Sequence, residues 1–88
     1  MIQKELEVTN PKGIHARPSA LIVQAAQEFN SRIHMESGGE SADATDIMAV
    51  LSLGVAYGDT VRIVVEGDDE VAAMARIAEI FTLNFNDS

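Results

Sequence analysis

The sequence predicts an α+β fold in which one antiparallel sheet is covered on one face by helices. Three segments alternate between apolar and polar residues, a Gly-Gly pair adds a hairpin partner to one of them, and three further segments carry helix signals. Their order along the 88 residues is βαββαβα. Four strands are too few for two packed sheets, so a single sheet under helices is the economical packing. The length suits one domain over residues 1–88.

The first strand and the first helix are separated by a turn. Ile2, Leu6 and Val8 share one parity, interrupted only by Lys4, which predicts a strand with one buried face. Turn-forming residues at 10–13 end it. A helix is predicted next from apolar residues at helical spacing, namely Leu21, Ile22, Ala25, Ala26 and Phe29. Because Pro18 is tolerated only in a first turn, His15 must lie at or just before the helix N-terminus.

The middle of the chain predicts a β-hairpin. Ile33 and Met35 alternate with polar neighbours, which indicates a second strand. Gly38 and Gly39 form a hairpin turn signal, so a short third strand is expected near residues 40–43.

A second helix is predicted to begin at Ile47, because Thr45 or Asp46 can cap it. Gly54 and Gly58 limit its length.

The last strand and the last helix complete the pattern. Residues 60–66 alternate, with Val61, Ile63 and Val65 predicted to point inward. Residues 67–69 are expected to turn the chain and cap a third helix. The predicted apolar stripe of that helix is Val71, Met74, Ala75, Ala78 and Phe81.

The composition excludes several classes of protein. With 14 acidic and 6 basic residues, the formal net charge is −8, which argues against a nucleic-acid partner. The lack of cysteine excludes disulfides and thiolate metal sites. The first residues carry no apolar leader, and no stretch approaches membrane-spanning length. We therefore expect a soluble cytoplasmic protein with no membrane partner.

Charge is missing from two segments. Residues 13–27 contain no carboxylate, and Arg17 is their only cation apart from any charge on His15. Residues 47–58 contain no charged residue at all. The second helix would thus be apolar almost all round, and so small a domain cannot bury every face of it. Some of Ile47, Met48 and Leu51 should stay exposed, and exposed apolar patches usually bind a partner.

Residues 13–18 form a candidate site for an anion. A neutral imidazole is nucleophilic near physiological pH, so His15 can carry a covalent phosphoryl group. Unpaired amides at a helix N-terminus stabilise an anion, and the planar guanidinium of Arg17 suits phosphate oxygens. Pro18 fixes the first turn, and Gly13 permits a close approach of the chain. On these residues alone, a capping or surface histidine is the commoner alternative.

The second histidine does not indicate a metal site. His34 shares the polar parity of its strand and has no second ligand in the sequence pattern around it. No carboxylate motif accompanies the two histidines, so no metal ion is expected.

Two motifs make the chain similar to a known family. Gly-Ile-His-Ala-Arg-Pro-Ser-Ala at 13–20 resembles the active-site signature of HPr, the histidine-containing phosphocarrier of the bacterial phosphoenolpyruvate-dependent sugar phosphotransferase system. Ile-Met-Ala-Val-Leu-Ser-Leu-Gly at 47–54 resembles the second signature of that family. The likeness covers essentially the whole chain. It implies an open-faced sandwich of four antiparallel strands with three helices on one side.

The resemblance also implies roles for individual residues. His15 would accept a phosphoryl group on Nδ1 from phosphorylated Enzyme I and donate it to sugar-specific EIIA domains. Arg17 would steady the charge, and the amides of Ala16 and Arg17 would contact the phosphoryl oxygens. Such a protein is a carrier with a covalent phosphohistidine rather than a self-contained enzyme, and it needs no metal or organic cofactor. The positions that match the family's docking face are Ala20, Gln24, Ile47, Met48 and Leu51.

The sequence departs from the family pattern at two places. Many members carry Lys or Arg on the docking face, where Gln24, Gln27 and Ala49 are neutral here, so docking should depend more on apolar contact. Asp46 stands where many relatives have a serine that is phosphorylated for regulation and that recruits a transcriptional repressor. Asp46 is either a plain helix cap or a partial mimic of that phosphoserine, and we favour the cap.

Two alternatives to sugar transport remain open. A regulatory homologue, acting in catabolite control or in a nitrogen-linked phosphorelay, would work mainly by protein binding and could include transcriptional regulators among its partners. A small acidic acyl carrier fits the size and charge but lacks the Asp-Ser-Leu context of its prosthetic group. A carrier that presents one face to each partner in turn is expected to be a monomer.

Overall fold

The computed structural model describes residues 1–86. Its strands are β1 (Ile2–Glu7), β2 (Arg32–Ser37), β3 (Glu40–Asp43) and β4 (Thr60–Glu66). Its helices are α1 (Ala16–Ala26), α2 (Ile47–Ser52) and α3 (Glu70–Thr82), followed by a 3-10 turn over Asn84–Asn86. The order βαββαβα is the predicted one.

The strands form one antiparallel sheet in the order β1-β4-β2-β3. The long strand β4 lies in the interior, with Val65 opposite Ile2 on one side and opposite Ile33 on the other. The predicted antiparallel sheet is thereby confirmed. The sequence pattern does not predict the strand order, because β1 and β4 are far apart in the sequence and periodicity carries no information about such pairings.

The sheet has one covered face and one open face. The predicted inward residues Val61, Ile63 and Val65 are completely buried and belong to the core that the helices close. On the opposite face, the exposed Arg62 lies 3.5 Å from Glu5 and 3.6 Å from Glu36, measured between guanidinium nitrogens and carboxylate oxygens. Exposed pairs of this kind contribute little stability, so burial on the covered face holds the sheet in place.

Helix α1 is shorter than its apolar pattern suggests. Ile22, Ala25 and Ala26 are buried as predicted, whereas Leu21 is only half-buried. The helix ends at Ala26, and Phe29 packs against the core from the turn that follows. The apolar spacing therefore marks core contacts correctly but not the helix boundary, because a residue in a turn can fill the same space.

The predicted stripe of α3 is wrong in part. Met74 and Phe81 are buried, but Val71 is 73 % exposed, Ala75 is exposed and Ala78 is half-buried. The remaining buried residues of the helix are Ala73, Ile77 and Ile80. Rotating the helix to this face buries two isoleucines in place of a valine and two alanines, which removes more apolar surface from water.

The turn before α3 is fastened to the turn after α1. Asp69 occupies the N-cap position of α3, but its side chain does not cap that helix as expected. Its carboxylate instead accepts hydrogen bonds from the amides of Asn30 and Ser31, each at 2.9 Å, and from the Ser31 hydroxyl. The hydroxyl bond is the largest of the effects that lower the pKa of Asp69 below its ordinary value of 3.8.

The last described residues return to the core. Phe85 is buried, and its ring centroid lies 4.8 Å from that of Phe81 in a tilted arrangement. Its backbone has φ +57°, an unusual value for a bulky residue, which the burial of the ring offsets. Over residues 1–86, none of the helices combines the length and the apolar character needed to cross a bilayer.

Candidate functional site

His15 lies at the predicted place, directly before α1. It is the N-cap residue, with an extended backbone at φ −92° and ψ −162°, and its half-buried side chain does not cap the helix. The first intrahelical hydrogen bond runs from the Ser19 amide to the His15 carbonyl at 3.0 Å. The amides of Ala16 and Arg17 precede that bond and stay outside the intrahelical ladder, as the first donors of a helix do. His15 is thus the residue at the positive end of α1.

The segment that carries His15 is held by a buried asparagine. Asn10 is completely buried, and its Nδ2 donates to the Gly13 carbonyl at 2.6 Å. The Gly13 amide donates to the Asn10 carbonyl at 3.0 Å, and the His15 amide donates to the Gly13 carbonyl at 3.1 Å. These bonds fix the backbone of the turn before the helix. The backbone at His15 therefore loses little entropy when a partner binds.

A second support comes from the loop between α2 and β4. The Ile14 amide donates to the Val55 carbonyl at 3.0 Å. Gly13 has φ +67°, and a Cβ atom there would lie 2.5 Å from the Val55 carbonyl oxygen and 2.8 Å from Ala56 Cα. Only glycine allows this approach. The sequence does not predict the contact with this loop, and Gly13 is its one local signal.

Arg17 is the second residue of α1 and is exposed. The first turn contains no acidic residue. The residues that carry the imidazole and the guanidinium thus lie at positions 15 and 17 of one helix N-terminus, in a first turn that contains no acidic residue. Such an arrangement can stabilise an anion that is covalently attached to the imidazole.

The residues predicted to form a docking face are on two helices that pack against each other. On α1, Ala20 is half-buried and Gln24 is exposed. On α2, Ile47 is 39 % exposed, Met48 is 67 % exposed and Leu51 is half-buried. The predicted exposure of apolar side chains on α2 is confirmed, because only one face of this short helix reaches the core. Their role in docking stays a prediction.

Asp46, rather than Thr45, caps α2. One carboxylate oxygen of Asp46 accepts from the Met48 amide at 3.1 Å and from the Ala49 amide at 3.2 Å. The Thr45 hydroxyl instead donates to Asp43 at 2.7 Å. This capping geometry accounts for a short polar side chain at position 46 without any regulatory role.

His34 lies apart from this site. It is exposed on the open face of the sheet, where it stands opposite Asp43 in the β2–β3 register. Throughout residues 1–86, no three His, Cys, Asp or Glu side chains come together as a metal site would require.

The whole chain is similar to known phosphocarriers. The family model described as "PTS HPr component phosphorylation site" matches residues 2–82. The phosphocarrier protein HPr of Treponema pallidum is 41 % identical over 87 residues, which cover 99 % of each chain. The HPr-like protein Crh of Halalkalibacterium halodurans is 42 % identical over 74 residues, which cover 84 % of this chain and 88 % of the other.

Solved structures agree with this similarity. HPr-C-His from Thermoanaerobacter tengcongensis has a TM-score of 0.95 at 38 % identity and covers 100 % of this chain and 99 % of its own. An HPr dimer from the same organism has a TM-score of 0.79 at 38 % identity and covers 99 % of this chain and 100 % of its own. A dimeric relative runs against the expectation that a carrier of this kind is simply a monomer. The fold, both sequence motifs and these matches together show that the chain belongs to the HPr family of phosphocarriers of the phosphotransferase system.

Proposed function

We propose that this protein accepts a phosphoryl group on Nδ1 of His15 from phosphorylated Enzyme I and passes it to sugar-specific EIIA domains. The observation that carries the proposal is the position of His15, directly before the amides of Ala16 and Arg17 that lie outside the ladder of α1. A phosphoryl group on His15 would find hydrogen-bond donors and positive potential already in place.

The bonds formed and broken in this transfer balance without a cofactor. The lone pair of Nδ1 forms a bond to phosphorus while the P–N bond of the donor's phosphohistidine breaks, and that electron pair returns to the donor imidazole. Passing the group on repeats the same exchange with the acceptor's nitrogen. Such transfer depends mainly on positioning and on charge stabilisation, which Arg17 and the first-turn amides supply.

The rest of the molecule suits a carrier. We propose that residues 1–88 act as one domain in the cytoplasm, without metal or organic cofactor. The exposed side chains of Ile47 and Met48 on α2, with Ala20, Gln24 and Leu51 beside them, would contact Enzyme I and EIIA in turn. Using one surface for both partners suits a carrier that must release each of them.

The direct test is incubation with labelled phosphoenolpyruvate and Enzyme I from the same organism. The protein should acquire a label that is lost in acid, because the P–N bond of phosphohistidine is acid-labile. His15→Ala should remove the label, and His34→Ala is the matched control that should keep it. Labelling that survives in His15→Ala would contradict the proposal.

A regulatory role is the second candidate, because a relative of similar identity is the HPr-like protein Crh. In that case the unphosphorylated protein would bind partners that are not transport components. A pull-down from the source cell, with and without phosphoenolpyruvate and Enzyme I, distinguishes the two. If the protein serves transport, EIIA domains should be captured to an extent that changes when phosphoenolpyruvate and Enzyme I are added. If it serves regulation, a transcriptional regulator should be captured.

A further inference from the structure

A tight turn between α2 and β4 presents an exposed tyrosine. The Asp59 amide donates to the Ala56 carbonyl at 3.0 Å, and the Ala56 amide donates to Asp59 Oδ2 at 2.9 Å. Tyr57 and Gly58 are the two central residues, and Gly58 has φ +88°, as the second central residue of a type II turn requires. Two further bonds with Val8, at 2.8 and 2.9 Å, fasten the turn to the end of β1.

Tyr57 is not needed by the fold. Its side chain is 66 % exposed, and the first central position of such a turn accepts most residues. The backbone of this turn is already held by hydrogen bonds, so covering Tyr57 costs only the rotamer freedom of its side chain. Tyrosine is among the residue types that most often anchor protein interfaces.

The turn lies next to the segment that carries His15. The Ile14 amide is 3.0 Å from the Val55 carbonyl oxygen. The intervening bonds then limit the distance between the Cα atoms of His15 and Tyr57 to at most roughly 15 Å. A standard interface covers roughly 800 Å² per partner, a disc of roughly 16 Å radius. Tyr57 therefore lies within the radius of a standard interface that is centred on His15.

The charge pattern around this turn defines the partner's chemistry. Residues 47–58 carry no charge, and residues 13–27 carry no carboxylate, although the chain has 14 acidic residues. The carboxylate of Asp59 is directed to the Ala56 amide. Two segments without carboxylates suit a partner that brings a phosphoryl anion. Arg17 is the only cation of these two segments and is assigned to the phosphoryl group, so the segments hold no lysine that would complement an acidic surface around that anion.

We infer that Tyr57 is a specificity contact that binds an apolar, uncharged surface next to the phosphohistidine of the donor protein. This inference rests on the proposed function, because it takes the phosphoryl donor as the occupant. Tyr57 and the exposed residues of α2 then contact the donor as two anchors of one interface that includes His15.

The test compares Tyr57→Ala with Val71→Ala in transfer from phosphorylated Enzyme I of the same organism. Val71 is 73 % exposed but lies on α3, beside the turns that follow the far end of α1. Tyr57→Ala should raise KM about tenfold, as loss of an interface anchor does, with kcat unchanged. Val71→Ala should leave both within about twofold. Tyr57→Phe should keep KM near that of the unsubstituted protein, because the ring makes the contact.

The salt dependence of KM is a further readout that keeps the outcomes distinct. Between about 50 and about 500 mM salt, where the Debye length falls roughly threefold, KM should vary less than about threefold if the contacted surface is uncharged. A KM unchanged in Tyr57→Ala, or one that varies strongly with salt, would overturn the inference while leaving transfer to His15 intact. No transfer to the unsubstituted protein would overturn the proposed function and the inference with it.

Discussion

At the scale of single residues, the site depends on positions that hold the backbone rather than on additional reactive groups. His15 and Arg17 supply the proposed chemistry, but Gly13 and Asn10 hold the backbone on which His15 lies. Asn10 bonds to Gly13 from inside the protein, and Gly13 brings the chain against Val55. A nucleophile held in this way is ordered before its partner arrives, which lowers the entropy lost on docking.

Gly13→Ala should destabilise the protein by about 3 kcal/mol, because the left-handed backbone and the clash with Val55 both add to the cost. Gly38→Ala is the matched control, since Gly38 has φ +60° but no atom lies within 4 Å of the place that an added methyl group would occupy. It should cost only about 1 kcal/mol. Urea denaturation of both variants measures the difference, and equal losses would mean that the contact with Val55 contributes nothing.

At the scale of elements, the residues proposed for function and the side chains that fix the turns lie at the N-termini of the helices. The N-terminus of α1 receives the proposed phosphoryl group, and Asp46 caps α2 beside the exposed apolar residues. Asp69 stands at the start of α3 and binds the turn that follows α1. Helix ends bring unsatisfied backbone groups to the surface, so polar contacts concentrate there.

Asp46→Ser should change phosphorylation by Enzyme I less than about threefold, because serine keeps the cap and removes only a charge at the helix end. Asp46→Ala, which removes the cap, should cost about 1 kcal/mol of stability. Rates of transfer and urea midpoints measure the two effects. A much larger gain in the rate of Asp46→Ser would mean that the carboxylate attenuates transfer as a phosphoserine would.

Asp69 should make the stability depend on pH. Because its pKa is lowered in the folded protein, its contribution is present above the unfolded value of 3.8 and is lost as the pH falls through the lower folded value. Asp69→Asn should therefore lower the urea midpoint at neutral pH and flatten its fall below pH 3.8. Asp68→Asn, at the exposed neighbouring position, is the control that should keep the native profile. An unchanged acid profile in Asp69→Asn would contradict this assignment.

The sequence predicts the elements better than it predicts their long-range contacts. Alternation, the Gly-Gly turn signal and the helix signals predict the four strands and the three α-helices, because these signals are local properties of the sequence. The contact of Gly13 with Val55 and the bond of Asp69 to Asn30 join residues that are far apart in the chain, so no local pattern shows them. The predicted stripe of α3 is partly wrong because its apolar residues suit more than one face, and the sheet decides which face is buried.

At the scale of the whole molecule, the proposed phosphorylation site and the acidic residues lie in different parts of the chain. The covered face of the sheet and the core support a helix end with one imidazole, while the open face carries the ion pairs of Arg62. Acidic residues are numerous, yet none lies within residues 13–27 or 47–58, and Asp46 and Asp59 only border the second segment. The proposed reactive group, His15, thus lies in one of the two segments without carboxylates.

The most direct test of the account is amide NMR of the protein before and after phosphorylation by Enzyme I. We predict that phosphorus bonds to Nδ1 of His15 and that the amides of Ala16 and Arg17 show the largest chemical-shift changes, because they donate to the phosphoryl oxygens. Changes centred on His34, or a phosphorylated His15 with the amides of Ala16 and Arg17 unmoved, would contradict it.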